Sequence, residues 1–178
     1  MLAVCLAALA TGAAGDSVKI GEFIPVAPPQ PAPAAAFTDA AGKPARLKDF
    51  LGRPTIINLW ATWCAPCLKE MPSLDRLLSA LHGTLRIAAI AEDHGGAKVV
   101  APFVARHNLI GLTIYLDPEQ AVAEAFKVRG LPTSIVLDTK GRVVGEVEGA
   151  ADWTAPRMLS VLQPLLDGAA AIRRAAAD

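Results

Sequence analysis

Cys64 and Cys67 stand three residues apart in Cys64-Ala65-Pro66-Cys67, between an apolar run and an amphipathic one. That spacing at a strand-to-helix junction puts both side chains on one face of a first helical turn. A helix N-terminus presents unpaired N–H groups and the positive end of the helix dipole. A thiol held there falls below its ordinary pKa of about 8.5 and supplies thiolate near neutral pH. The second thiol, one turn deeper, can attack a mixed disulfide at the first and release the partner. The expectation is dithiol–disulfide exchange, with Cys64 as nucleophile, Cys67 as resolving thiol and Pro66 opening the helix. The redox group is then the Cys64–Cys67 disulfide itself, with no added cofactor. The competing readings are a static disulfide or half of a zinc site. Zinc needs four ligands, and His82, His94 and His107 lie singly, as surface or loop histidines do, so no metal is expected.

The flanking segments read as the elements that would position this pair. Thr55 to Trp60 is a short apolar, partly β-branched run, the pattern of a buried strand. Leu68, Met71, Leu74, Leu78 and Leu81 recur at helical spacing, with Gly83 as the stop and Pro72 inside. Leu85–Ala91 and Leu112–Leu116 read as further strands. Ala97–His107 reads as a helix with Val100, Phe103 and Val104 inward. Asp117-Pro118 should start a helix through Phe126. Ile135–Leu137 and Arg142–Val147 flank the hairpin turn Thr139-Lys140-Gly141. Asp152 should cap a last helix to about Leu166. Strands alternate with helices early and a hairpin closes the sheet late, which predicts an α/β sandwich with a mixed sheet.

The ends carry different signals. Met1–Ala14 is apolar and uncharged, and shorter than the roughly 18–20 residues that span a bilayer. It suits the apolar region of a signal peptide, with Ala8-Leu9-Ala10 as a cleavage pattern, and cleavage there would remove Cys5. A start further upstream would supply the missing positive region and make the segment part of a membrane anchor. Val4 argues against a lipoprotein site at Cys5. Five prolines between Pro25 and Pro33 predict an extended spacer over 15–35. One domain is expected over 36–167, then an Ala-rich flexible tail over 168–178. Seventeen basic residues balance seventeen acidic ones, so no charged field marks a nucleic-acid partner.

The run Asn58-Leu59-Trp60-Ala61-Thr62-Trp63-Cys64-Ala65-Pro66-Cys67-Leu68-Lys69-Glu70-Met71-Pro72 resembles the active-site segment of TlpA/ResA-like thioredoxins. The resemblance extends from about Phe37 to Leu166. It takes in Asp39…Gly42-Lys43, Gly52-Arg53-Pro54 and Gly130-Leu131-Pro132-Thr133. It implies a thioredoxin-like α/β fold, a mixed central sheet flanked by helices with an added N-terminal β-hairpin. It also implies a cis peptide before Pro132, facing the cysteines, with Leu131 offering backbone groups to a partner strand. Trp63, Ala65, Pro66, Leu131 and Thr133 are the implied substrate-contacting set, and Trp60 packs beneath.

Cytoplasmic thioredoxins carry a buried Asp where this chain has Asn58, and Asn takes no proton from a thiol. The resemblance offers Glu92 or Asp93 instead, after the next strand, as proton acceptor for Cys67, and leaves the choice open. Lys69 and Glu70 read as a solvated helix face.

The family is extracytoplasmic, exported or membrane-anchored. The resemblance implies a monomeric reductase of exported cysteine-containing proteins, fed by a membrane-embedded electron donor and serving haem-attachment or copper-site cysteines. A dithiol oxidase or isomerase uses the same pair. A copper carrier is the non-enzymatic alternative, although copper-carrying relatives tend to have CxxxC and a dedicated His. A peroxidase fits the CxxC helix start less well.

Overall fold

The apolar runs become strands wherever a neighbour covers both faces. The computed structural model describes residues 20–81, 83–109 and 111–175. The signal-peptide or anchor segment with Cys5, His82 and the last three residues lie outside the described residues.

Among these, the strands are β1 (Phe23–Pro31), β2 (Ala36–Asp39), β3 (Pro44–Arg46), β4 (Thr55–Trp60), β5 (Arg86–Ala91), β6 (Thr113–Leu116), β7 (Thr133–Leu137) and β8 (Arg142–Glu148). The helices are α1 (Ala65–Ala80), α2 (Ala97–His107), α3 (Ala121–Ala125) and α4 (Pro156–Ala175). A 3-10 turn spans Leu47–Phe50.

One sheet holds the strands in the order β1-β8-β7-β4-β5-β6-β2-β3. β4, β5 and β6 are parallel, joined by the α1 and α2 crossovers, and the other pairings are antiparallel. β4 lies between β5 and β7, and every residue of it is buried. Strand alternation then divides its side chains. Ile56 and Trp60 join the cluster of Cys67, Met71 and Leu74 of α1, together with Val100, Met158 and Leu162 from α2 and α4. Ile57 and Leu59 join the opposite cluster, with Phe37, Phe50 and Val122 of α3. The added hairpin β2–β3 is present. Asp39 Oδ1 accepts the N–H groups of Ala41 and Lys43, each at 2.9 Å, and fixes its turn.

Three expectations change. Residues 15–35, read as a free spacer, contain β1, which pairs antiparallel with β8 at the sheet edge. Prolines are tolerated there because an edge strand leaves half of its N–H groups unused. Its register breaks between Pro25 and Gln30, across the Pro-rich stretch. α3 starts at Ala121, not at Asp117-Pro118. Asp117 caps it from a turn earlier, its carboxylate accepting the N–H groups of Ala121 and Val122 at 3.0 and 2.7 Å. α4 runs past Leu166 to Ala175, through the segment expected as a flexible tail. Leu166 and Ala169 continue its buried stripe, and alanine is the best helix former, which offsets Gly168. No helix among the described residues is long and apolar enough to cross a membrane.

Candidate active site

β4 delivers the chain to one end of the sheet, and a tight turn follows. The Cys64 N–H donates to the Ala61 carbonyl at 3.1 Å. Cys64 is the N-cap of α1, in extended conformation, and its sulfur accepts the N–H of Cys67 at 3.3 Å. Pro66 sits in the first turn, where a missing N–H costs nothing. Cys64 and Cys67 are joined in a disulfide with Cα atoms 5.3 Å apart. Cys64 keeps 4% of its surface and Cys67 none, so the pair can be reached only from the Cys64 side. Trp63 is 69% exposed beside it, and Trp60 is fully buried and packs against Phe103.

The Leu131–Pro132 peptide is cis. Thr133, the next residue, pairs with Leu59, so Pro132 stands at the sheet end where β4 runs into the cysteines. The Thr133 hydroxyl donates to the Gly130 carbonyl at 2.8 Å, and the Gly149 N–H donates to the Pro132 carbonyl at 2.8 Å. Leu131 is half-buried against the core that holds both cysteines.

Glu92 and Asp93 directly follow β5, at the place the resemblance gives them. Asp93 is buried, and its carboxylate is occupied. It accepts the Thr62 N–H at 3.0 Å and the Thr62 hydroxyl at 2.6 Å. Glu92 donates its N–H to the Trp60 carbonyl at 2.8 Å. Along β5, Ala89 and Ala91 face the cysteine cluster while Ala88 and Ile90 face the other. Continued alternation puts Glu92 on the second face of the sheet. Glu92 is 2% exposed, and neither of its carboxyl oxygens has a hydrogen-bond partner. Burial, with Asp117 adding to it, pushes its pKa up to about 8.

Glu70 is the residue the sequence reading missed. It is buried, not solvated. Glu70 Oε1 accepts the Asn58 amide at 2.5 Å, and Oε2 accepts the Ala151 N–H at 2.8 Å. Burial drives its pKa up to about 7, against the lowering effect of Ala151, Asn58 and Trp153. A signal was present in the spacing. Positions 67, 70, 71, 74 and 77 form one inward stripe of α1, and Glu70 stands in it. A carboxylic acid with that pKa, one turn beyond Cys67, can take up or return a proton near neutral pH. Among the described residues, no three His, Cys, Asp or Glu side chains are grouped to hold a metal ion.

A disulfide at the start of α1, beside a cis proline on this mixed sheet, defines a thiol–disulfide oxidoreductase of the thioredoxin fold. Residues 28–145 match the model of the AhpC/TSA family, and the chain belongs to that family. It is similar to the thiol-disulfide oxidoreductase ResA of Bacillus thuringiensis subsp. konkukian, at 36% identity over 120 residues, 66% of this chain and 68% of that one. The StoA structure from Bacillus subtilis superposes with a TM-score of 0.57 at 25% identity, covering 67% of this chain and 92% of StoA. A secreted Mycobacterium tuberculosis disulfide oxidoreductase homologous to E. coli DsbE shares the fold, with a TM-score of 0.57 at 22% identity over 75% of this chain and 94% of that one.

Proposed function

We propose that this oxidoreductase works outside the cytoplasm as a reductase, cleaving disulfides in exported cysteine-containing proteins that await haem attachment or copper loading. The observation that carries the reading is the graded pair, Cys64 keeping 4% of its surface and Cys67 fully enclosed, with the buried Glu70 one helical turn further on. The steps follow from that order. The Cys64 thiolate attacks one sulfur of the partner disulfide and forms a mixed disulfide, and the partner's other sulfur leaves as thiolate. Cys67 gives its proton to Glu70 and attacks Cys64. The Cys64–Cys67 disulfide closes, and the second partner sulfur leaves as thiol once it is protonated. Two electrons have then moved from the pair to the partner, and an upstream dithiol donor, membrane-embedded in this reading, must reset it.

Glu70 thus takes the role that the sequence assigned to Glu92 or Asp93. Trp63, Ala65, Pro66, Leu131 and Thr133 form the face a partner strand meets, and cis-Pro132 shapes it. The apolar Met1–Ala14 segment and the secreted relative support an extracytoplasmic location. The test is the reduction potential of the pair, by titration against glutathione or dithiothreitol. A value near thioredoxin's roughly −270 mV or below supports the reductase direction. A value near DsbA's roughly −120 mV makes the protein an oxidant and overturns it.

A further inference from the structure

Glu70 belongs to a buried hydrogen-bond group with one residue from each of two neighbouring strands. The Asn58 amide donates to Glu70 Oε1 at 2.5 Å and to Ser134 Oγ at 3.0 Å. Asn58 and Ser134 are register partners on β4 and β7, so the backbone fixes their approach. Asn58 is 0% exposed, Ser134 2% and Glu70 3%. The other end of the amide, Oδ1, is buried with no partner. A buried acceptor left unpaired ordinarily costs stability.

We propose that Asn58 is a positioning residue for the proton step, an amide donor that favours the charged form of Glu70 and so sets the pH at which that carboxyl accepts the Cys67 proton. The inference rests on the reading of Glu70 as the acceptor for Cys67. A carboxylate only accepts hydrogen bonds, and it is satisfied here by the Asn58 amide and the Ala151 N–H. The Ala151 N–H and the Trp153 indole N–H near it are donors alone and likewise favour the charged form. The Ser73 hydroxyl donates to Glu70's own carbonyl at 2.8 Å and accepts the Trp153 N–H at 3.1 Å. No charged side chain is among the influences on Glu70.

In this orientation both N–H groups of the amide are used, on Glu70 and on Ser134. The sequence change from the thioredoxin Asp to Asn58 then has a consequence. The proton is held one residue away, on Glu70, and Asn58 keeps that carboxyl aligned without competing for the charge.

The experiment is the pH dependence of partner release, read as the rate at which Cys67 resolves a preformed mixed disulfide on Cys64 of the full chain. It compares wild type with Asn58→Leu, Asn58→Asp and Glu70→Gln. Loss of the amide donor disfavours the charged form of Glu70. Asn58→Leu should therefore move the inflection upward by about one pH unit, a roughly ten-fold change in the proton equilibrium. Asn58→Asp sets a second carboxyl against Glu70 and should move it upward as well. Glu70→Gln should remove the inflection, and Asn58→Leu added to it should change nothing further. An inflection unmoved in Asn58→Leu and Asn58→Asp, or slower release at every pH alike, overturns the proposal. If the poorly accommodated leucine variant does not fold, the near-isosteric Asp variant decides alone. A wild-type chain that forms no mixed disulfide at all overturns the exchange reading instead, so the two failures are distinguishable.

Discussion

Asp93 grips Thr62 twice, taking its backbone N–H at 3.0 Å and its hydroxyl at 2.6 Å. Thr62 lies two residues before Cys64, so a carboxylate just after β5 pins the turn that carries Cys64. Asp93→Ala leaves both Thr62 groups without that partner. The expected loss is about 1–3 kcal/mol in chemical denaturation, together with a shifted reduction potential as the turn loosens. An unchanged potential would mean that the turn holds itself.

The two cysteines should separate by role. Cys67→Ser should accumulate mixed disulfides through Cys64, because release needs the second thiol. Cys64→Ser should accumulate none, since Cys67 is fully enclosed. Non-reducing electrophoresis with mass spectrometry of the linked peptides reads both. Links through Cys67 would reverse the assignment.

Glu92 should be a stability liability and not a catalyst. Its folded pKa is raised from 4.5 to about 8 by burial and by Asp117. Its contribution to stability is therefore most favourable below about 4.5 and is lost as pH rises through about 8. Glu92→Leu removes an unpaired buried carboxyl at similar volume. It should stabilise the fold by on the order of 1–3 kcal/mol, with the gain growing toward alkaline pH, and exchange rates should hold. Thermal melts across pH check the first part. A large fall in exchange rate would restore Glu92 as the proton acceptor.

β1 should depend on the absence of a side chain at Gly145. The Phe23 ring lies on that glycine, and an added Cβ would collide with it. Gly145→Val should cost about 1–3 kcal/mol by overpacking and detach β1 from β8. Faster proteolysis within residues 20–31 would report the detachment. Exchange with dithiothreitol should persist, because the disulfide is carried by β4 and α1.

Much of this was legible because it is local. The CxxC spacing, the apolar run of β4 and the stripe Met71-Leu74 are periodic patterns that chain geometry converts directly into a thiol pair on a helix start. Gly130-Leu131-Pro132-Thr133 was legible through resemblance. The prolines of 23–31 correctly signalled extended chain. They did not show that β8 would present an open edge for it, since strand pairing over more than a hundred residues leaves no short-range trace. Ala169 was read as tail because alanine carries little hydrophobic signal until a packed surface meets it.

The sequence by itself determined the chemistry, a dithiol pair at the start of a helix. It also determined that position 58 could not hold the proton, because an amide does not ionise. Only the tertiary structure decided which carboxyls are buried. A glutamate one turn past a cysteine is ordinarily a solvated side chain. Glu70 becomes an acid poised near pH 7 because Asn58 from β4 and Ala151 from the loop after β8 close over it, and burial sets its proton affinity.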